Sequence, residues 1–390
     1  MVRAMQMASA TLAAPAAVML TDGSAEIVRG ALSAGVEIYA GYPITPASRI
    51  YEAMIATGVG IGCPDEITVL QTLIGASLAG RKAMTATSGP GFALMLESLG
   101  AAQMMEAPLT LVLVQRWGPS SGAATTNAQG DVLAPLAISG GMPVPALCPA
   151  RLEDCARLTA EAVNLAERLR TPVILLTERE TVSTQRTVTL DEAGLALLET
   201  PPPAARPRFE GAPGDFRPYG NLDAHQVPAF LEAGNPRTQT RFTASTHGEQ
   251  AFILKATPEA VRNTTRLADK IRANVSLFPA PRLDRQEGAD TLIVSYGCTD
   301  YAAREAVLML RARGIAVSHL TLLTLYPVQG EAIAESARGV RRVIIPEENL
   351  TGLYRRQLLG ERLFEGSAVV GVNRVGQMVT PEQIVAEAMR

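Results

Sequence analysis

The chain has 390 residues, a formal charge of −3 and an ordinary apolar content. It therefore holds more than one domain, because single cores rarely grow past ~250–300 residues. The near-neutral balance gives no basic footprint and excludes nucleic acid as an expected partner. Four scattered cysteines, Cys63, Cys148, Cys155 and Cys298, form no C-x-x-C pair. They read as reduced thiols of a cytoplasmic protein and offer no clustered thiolates for an iron–sulfur centre within this chain.

Residues 1–16 read as a flexible N-terminal extension. Its apolar stretch is broken by Gln6, Ser9, Thr11 and Pro15, and no charge-free run reaches the length of a membrane-spanning helix, so no membrane partner is expected. From 17 to 189, short apolar runs alternate with amphipathic stretches. Strands are expected at Val36–Ala40, Lys82–Ala86, Leu109–Val114 and Val173–Thr177. Helices are expected at Glu26–Ala34, Ala47–Ala56, Ile67–Ala79, Phe92–Met105 and Leu152–Leu169. Alternation of this kind marks βαβ units and a mostly parallel sheet. Residues 190–289, with Pro201-Pro202-Pro203 and Gly211-Ala212-Pro213-Gly214, read as an irregular excursion packed over the first domain, interrupted by a helix from Pro258 to Ile271. Alternation resumes over 290–390, with strands at Leu292–Tyr296, Val317–Leu322, Val343–Ile345 and Ala368–Val372. The fold class is thus α/β, with two α/β domains and mostly parallel sheets.

Four stretches of the first domain could carry chemistry. Gly41-Tyr42-Pro43-Ile44-Thr45-Pro46 is a Pro-braced turn at the end of a strand, where open α/β sheets keep their ligands. Thr45 could equally cap the next helix, with Pro46 at its first position. Asp65-Glu66 places two acids at a helix start, where the dipole favours negative charge. Thr87-Ser88-Gly89-Pro90-Gly91 permits close backbone approach at a helix N-terminus, but lacks both dinucleotide-fingerprint spacing and a P-loop lysine. Arg116, in Gln115-Arg116-Trp117-Gly118-Pro119-Ser120, leaves the end of a strand and suits a bidentate grip on a carboxylate. Gln129-Gly130-Asp131 follows in a loop. His225, His247 and His319 lie far apart; His319 reads as a satisfied interior group and His247 as a second-rank candidate. No metal-ligand spacing is present, and no metal site is expected on this chain.

Taken together, Tyr-Pro-Ile-Thr-Pro at 42–46, Asp-Glu at 65–66, Thr-Ser-Gly-Pro-Gly at 87–91 and Gln-Arg-x-Gly-Pro-Ser at 115–120 resemble one family. It is the α subunit of the thiamine-diphosphate-dependent 2-oxoacid:ferredoxin oxidoreductases, of the 2-oxoglutarate type. Val-x-x-Leu-x-Leu-Leu-Thr-Leu-Tyr-Pro at 317–327 and Ile-Pro-Glu-Glu-Asn-Leu-Thr-Gly at 345–352 extend the resemblance. It implies a pyrimidine-type thiamine-diphosphate domain followed by a smaller transketolase C-terminal-like domain. It further implies oxidative decarboxylation of a 2-oxoacid to acyl-CoA and carbon dioxide, with electrons passed to ferredoxin.

The resemblance implies a shared site. A β subunit would supply the diphosphate–Mg2+ side and a [4Fe-4S] cluster, and a separate γ-type subunit could complete the complex. This chain carries Gly-Asp-Val at 130–132 and Gly-Asp-Phe at 214–216, but no Gly-Asp-Gly diphosphate–metal motif. Carried over by motif, Glu66 would hydrogen-bond N1′ of the aminopyrimidine, Ser88 and Gly89 would touch the cofactor, Arg116 would hold the substrate carboxylate and Thr45 would donate a hydroxyl. Trp117 stands where many relatives have Gly, and Ala123-Ala124-Thr125-Thr126 lacks the lysine of the usual run. 2-Oxoglutarate is the favoured substrate, with a bulkier 2-oxoacid left open. A non-redox thiamine enzyme and a non-catalytic scaffold are the alternative functions.

Overall fold

The computed structural model describes residues 18–136, 138, 140–189, 199–220, 223 and 225–390; the extension expected over 1–16 lies outside them. The first domain runs β1 (Val18–Thr21), α1 (Gly23–Ser33), β2 (Ile38–Gly41), α2 (Ser48–Ala56), β3 (Gly60–Gly62), α3 (Glu66–Leu78), β4 (Ala83–Thr87), α4 (Gly89–Met104) and β5 (Leu109–Gln115). It continues through β6 (Ala146–Leu147), α5 (Leu152–Leu169), β7 (Pro172–Glu178), α6 (Arg179–Ser183) and β8 (Arg186–Thr189). Helix α5 has the bounds its periodicity predicts. Helices α3 and α4 start earlier than Ile67 and Phe92, because Asp65 caps α3 by accepting from Thr68 N at 2.7 Å and Pro90 sits in the first turn of α4, where it loses no helical bond.

Strand β5 shows why the main sheet forms. All seven of its residues are buried, as expected for a parallel strand covered on both faces. Leu109, Leu111 and Leu113 enter one core with Val69, Leu73 and Leu99. Val112 and Val114 enter the other with Ile27, Ile50 and Leu158. The C-terminal domain contributes β9 (Arg282–Asp284), β10 (Thr291–Tyr296), β11 (Val317–Leu322), β12 (Thr324–Tyr326), β13 (Arg342–Glu347) and β14 (Ala368–Asn373). Its sheet runs β14-β13-β10-β11-β9, with β9 antiparallel. The main sheet runs β12-β6-β7-β5-β4-β2-β3, so the C-terminal domain lends β12 to the first domain, antiparallel to β6. Leu292, Val294 and Leu322 share a core with Leu111 and Leu113.

The order β5-β4-β2-β3 places β2 and β4 side by side. From β2 the chain steps outward to β3, and from β4 it steps the other way to β5. This is a topological switch point, where the loops after adjacent strands diverge and open a crevice.

The excursion is anchored by buried charge. Arg206 pairs with Glu167 at 2.7 and 2.8 Å and donates to the carbonyls of Ser77 and Arg81. Glu106, past the end of α4, is buried against Arg266 and Lys270 on the helix Pro258–Ala273. Arg282–Asp284, left in the excursion by sequence reasoning, is β9 of the C-terminal sheet.

Candidate active site

The four stretches singled out from the sequence all lie beyond the C-terminal ends of parallel strands: 41–46 after β2, 64–66 after β3, 87–91 after β4 and 115–120 after β5. Glu66 opens α3 and is only 6% exposed. Its carboxylate makes no hydrogen bond or ion pair among the described residues. The side chain lies against Gly91, where an added Cβ would come within 2.5 Å of Oε1 and 2.2 Å of Thr87 Oγ1. Gly91 thus makes the room in which the carboxylate stands. Gly91→Ala should displace Glu66 and crowd Thr87, lowering turnover by at least about tenfold, since misplacements near 1 Å are costly to catalysis, and costing about 1–3 kcal/mol of stability through overpacking. Steady-state kinetics beside circular dichroism check this.

Ser88 Oγ, at the start of α4, is buried without a partner. On the other side of the same loop, Asp131 closes on Gly89, where an added Cβ would meet its Oδ2 at 2.8 Å. Two carboxylates therefore bracket the first turn of α4, Glu66 at Gly91 and Asp131 at Gly89. Gln115 Oε1 accepts from the Asp131 backbone N–H at 2.9 Å. Burial pushes the Asp131 carboxyl up to about 6, against the pull of Arg116.

Arg116 is 8% exposed and donates from Nη1 to the Thr45 carbonyl at 2.6 Å, while its Nε has no partner. The link is to the backbone of Thr45, whose side chain is exposed. The helix-cap reading of Thr45 is corrected: Ala47 occupies the N-cap of α2 without a side-chain bond, and the Thr45–Pro46 peptide is cis. Beside Arg116, Trp117 is 39% exposed and stands against Gly376 of the C-terminal domain.

Arg116 and Asp131 face a cavity of about 700 Å3, within the range of small-molecule sites, whereas Glu66, Ser88 and Thr45 are not among the residues that line it. Arg116, Trp117, Gly89 and Asp131 line it from the first domain, and Glu348 and Leu350 from the C-terminal domain. Gln129 rivets the two sides. Its backbone N–H donates to Glu348 O at 2.8 Å, and its Nε2 donates to Glu178 Oε1 at 2.9 Å and Tyr296 O at 3.0 Å. Its Oε1 accepts from Glu348 N at 3.0 Å. Burial pushes the neighbouring Glu178 carboxyl up to about 8.

Sequence reasoning passed over Gln129, Asp131 and Glu348 as site-forming residues. The only signals were the Gly130-Asp131 turn and the acidic pair Glu347-Glu348; spacing does not announce a contact between Gln129 and a residue more than two hundred positions away. His247 lies elsewhere, buried against Tyr219 with Nδ1 2.7 Å from Ser245 O. His319 is buried beside Ser295 Oγ at 2.8 Å, the satisfied interior group expected.

The thiamine-diphosphate-binding domain of the pyruvate flavodoxin/ferredoxin oxidoreductases matches residues 29–252, and the transketolase C-terminal domain matches 282–381. The chain is 32% identical over 379 residues to the 2-oxoglutarate synthase subunit KorA of Methanothermobacter marburgensis, covering 94% of this chain and 97% of that protein. It is 32% identical over 374 residues to the same-named subunit of Methanocaldococcus jannaschii, covering 93% and 97%. Among solved structures, a 2-oxoglutarate:ferredoxin oxidoreductase from Magnetococcus marinus, with 2-oxoglutarate, coenzyme A and succinyl-CoA bound, superposes with a TM-score of 0.87 at 28% identity. That match covers 96% of this chain and 65% of the other. The chain belongs to the KorA family of 2-oxoglutarate synthase subunits, the α subunits of 2-oxoacid:ferredoxin oxidoreductases.

Proposed function

We propose that this chain is the α subunit of a cytoplasmic 2-oxoglutarate:ferredoxin oxidoreductase and supplies the pyrimidine half of a thiamine diphosphate site shared with a β subunit. The observation that carries this reading is Glu66: a buried carboxylate at the switch-point crevice, with no partner among the described residues. Such a group is an acceptor left open towards the crevice, where a donor on a bound ring would complete it. Ser88 Oγ, unpartnered in the same loop, adds a second polar group to the cofactor's side of the crevice, with the Gly89 backbone beside it. These residues fit an aminopyrimidine ring.

When bound, thiamine diphosphate supplies the carbanion chemistry of 2-oxoacid decarboxylation. Glu66 would share a proton with N1′ and hold the ring in its reactive tautomer. Arg116 would hold the substrate carboxylate through the donors not engaged by Thr45, and the exposed Thr45 hydroxyl would reach the substrate from the adjacent loop. The chain's scattered cysteines and lack of a Gly-Asp-Gly motif leave Mg2+ and a [4Fe-4S] cluster to the β subunit. Coenzyme A would take the acyl group and ferredoxin the electrons, with a γ-type subunit as a further partner. No helix among the described residues is long and apolar enough to cross a membrane.

The test is reconstitution with the co-purifying partner. The complex should reduce methyl viologen when given 2-oxoglutarate and coenzyme A, and the isolated chain should not; full activity of the chain alone would overturn the shared site. A non-redox thiamine enzyme would release product without reducing the dye. In the complex, Arg116→Ala should raise KM about 100-fold. Arg116→Lys should raise it about tenfold, because an ammonium keeps the charge but not the planar fork that serves Thr45 and a carboxylate together.

A further inference from the structure

The charge lining the cavity is poorly matched to an anionic ligand. Among the described lining residues there is one cation, Arg116, against two carboxyls, Asp131 and Glu348. Asp131 cannot be dismissed as Arg116's counter-ion, since no salt bridge joins them among the described residues. Gln115 Oε1 holds its backbone, and its carboxyl occupies the space that a Cβ on Gly89 would take. A substrate carboxylate drawn to Arg116 must therefore settle beside Asp131.

We propose that Asp131 gates entry of the anionic substrate by its own protonation: a proton taken from solvent neutralises its carboxyl as the 2-oxoacid carboxylate binds Arg116, and leaves when the site empties. Asp131 acts here as a positioning and charge-matching residue, and the inference rests on the 2-oxoacid reading of the site. No bond to carbon forms or breaks in this step; one proton moves between water and Oδ.

The groups that bear on Asp131 point the same way. Arg116, at the end of β5, favours the ionised form, but burial against the 88–91 loop outweighs it and leaves the carboxyl near 6. Glu348 lines the cavity from the loop after β13 and is itself pushed upward by burial. Glu66 lies beyond the glycine loop. At neutral pH the empty site holds Asp131 mostly ionised, and an arriving carboxylate raises its proton affinity further, as like charges in one site do. Sign and window follow from linkage. The ligand-bound form carries the extra proton, so affinity for the 2-oxoacid is highest below about pH 6 and weakens by up to about tenfold per pH unit above it, until the pKa of the bound state is passed.

The test uses the α–β complex. The KM for 2-oxoglutarate is measured from pH 6 to pH 8.5 in wild type, Asp131→Asn and Asp131→Glu. In wild type KM should rise at least about tenfold across this range. Asp131→Asn, neutral at every pH, should flatten the rise and keep the low-pH KM, while Asp131→Glu should restore a slope. Calorimetry of 2-oxoglutarate binding to the wild-type complex without coenzyme A, at pH 7.5 in buffers of different ionisation heat, should show uptake of close to one proton. This readout stands even where Asp131→Asn does not fold. Turnover with a KM slope unchanged in Asp131→Asn, or binding with no proton uptake, overturns the proposal alone. A complex that neither binds nor oxidises any 2-oxoacid overturns the functional reading, and this inference with it.

Discussion

Glu66→Gln in the reconstituted complex should lower kcat by about two to four orders of magnitude, the usual scale for losing a positioned acid–base group, while leaving the fold intact. The structure separates the two acids at the start of α3. Asp65 carries the cap, accepting from Thr68 N at 2.7 Å, and this bond with the adjacent backbone holds its own carboxyl below the ordinary range. Glu66 is not needed for capping; it sits one residue inside the helix and points its carboxylate at Gly91. Asp65→Ala should therefore lower the melting temperature through loss of the cap, with kcat within a few fold. Glu66→Gln should show the reverse pattern, because Gln fills the same space but cannot exchange a proton. Dye-reduction kinetics and thermal melts on both variants distinguish the cases. Equal, small effects on turnover would return Glu66 to the role of helix-end charge.

β5 and β11 are legible as short apolar-rich runs, buried throughout as parallel strands covered on both faces are, and α5 is legible because its helical pattern is sustained over its whole length. Strands β3, β6 and β12 have three, two and three residues, too few for a period to show, and their existence depends on neighbours. β12 exists because Ala146–Leu147 offers it an edge. The same division holds at the site. Glu66 and Arg116 stand out because each breaks an apolar pattern at the end of a strand or the start of a helix. Glu348 and Gln129 are visible only where the two domains meet, and Asp131 only where its loop folds back on Gln115 and Gly89. Thr45 shows a subtler limit: its hydroxyl draws attention in the sequence, but its carbonyl is what engages Arg116.

The excursion supplies the largest expected stability effect. Glu106 is buried with Arg266 and Lys270 on it and Arg170 close by, three cations around one carboxylate. That excess of positive charge holds the Glu106 carboxyl down at about 2 despite its burial, whereas burial lowers Lys270 to about 8. The linkage signs are opposite. Glu106 contributes stability above its ordinary value of 4.5 that is lost as pH falls towards 2. Charged Lys270 costs stability below 8, a cost relieved as pH rises towards 10.5. Glu106→Gln leaves the cations buried without a counter-ion and should destabilise the chain by about 3–5 kcal/mol. Lys270→Met removes a charge already in excess, keeps the apolar stem and should cost less than about 1 kcal/mol. Arg170, whose Nε and Nη2 lack partners, remains near Glu106 in that variant. Urea unfolding of the two variants, with hydrogen exchange over 258–273 as a local probe, reads the asymmetry directly. Equal losses would mean that Lys270 is matched to Glu106 as a simple pair, and that the clamp between the excursion and α4 works by pairing rather than by a single carboxylate holding three cations.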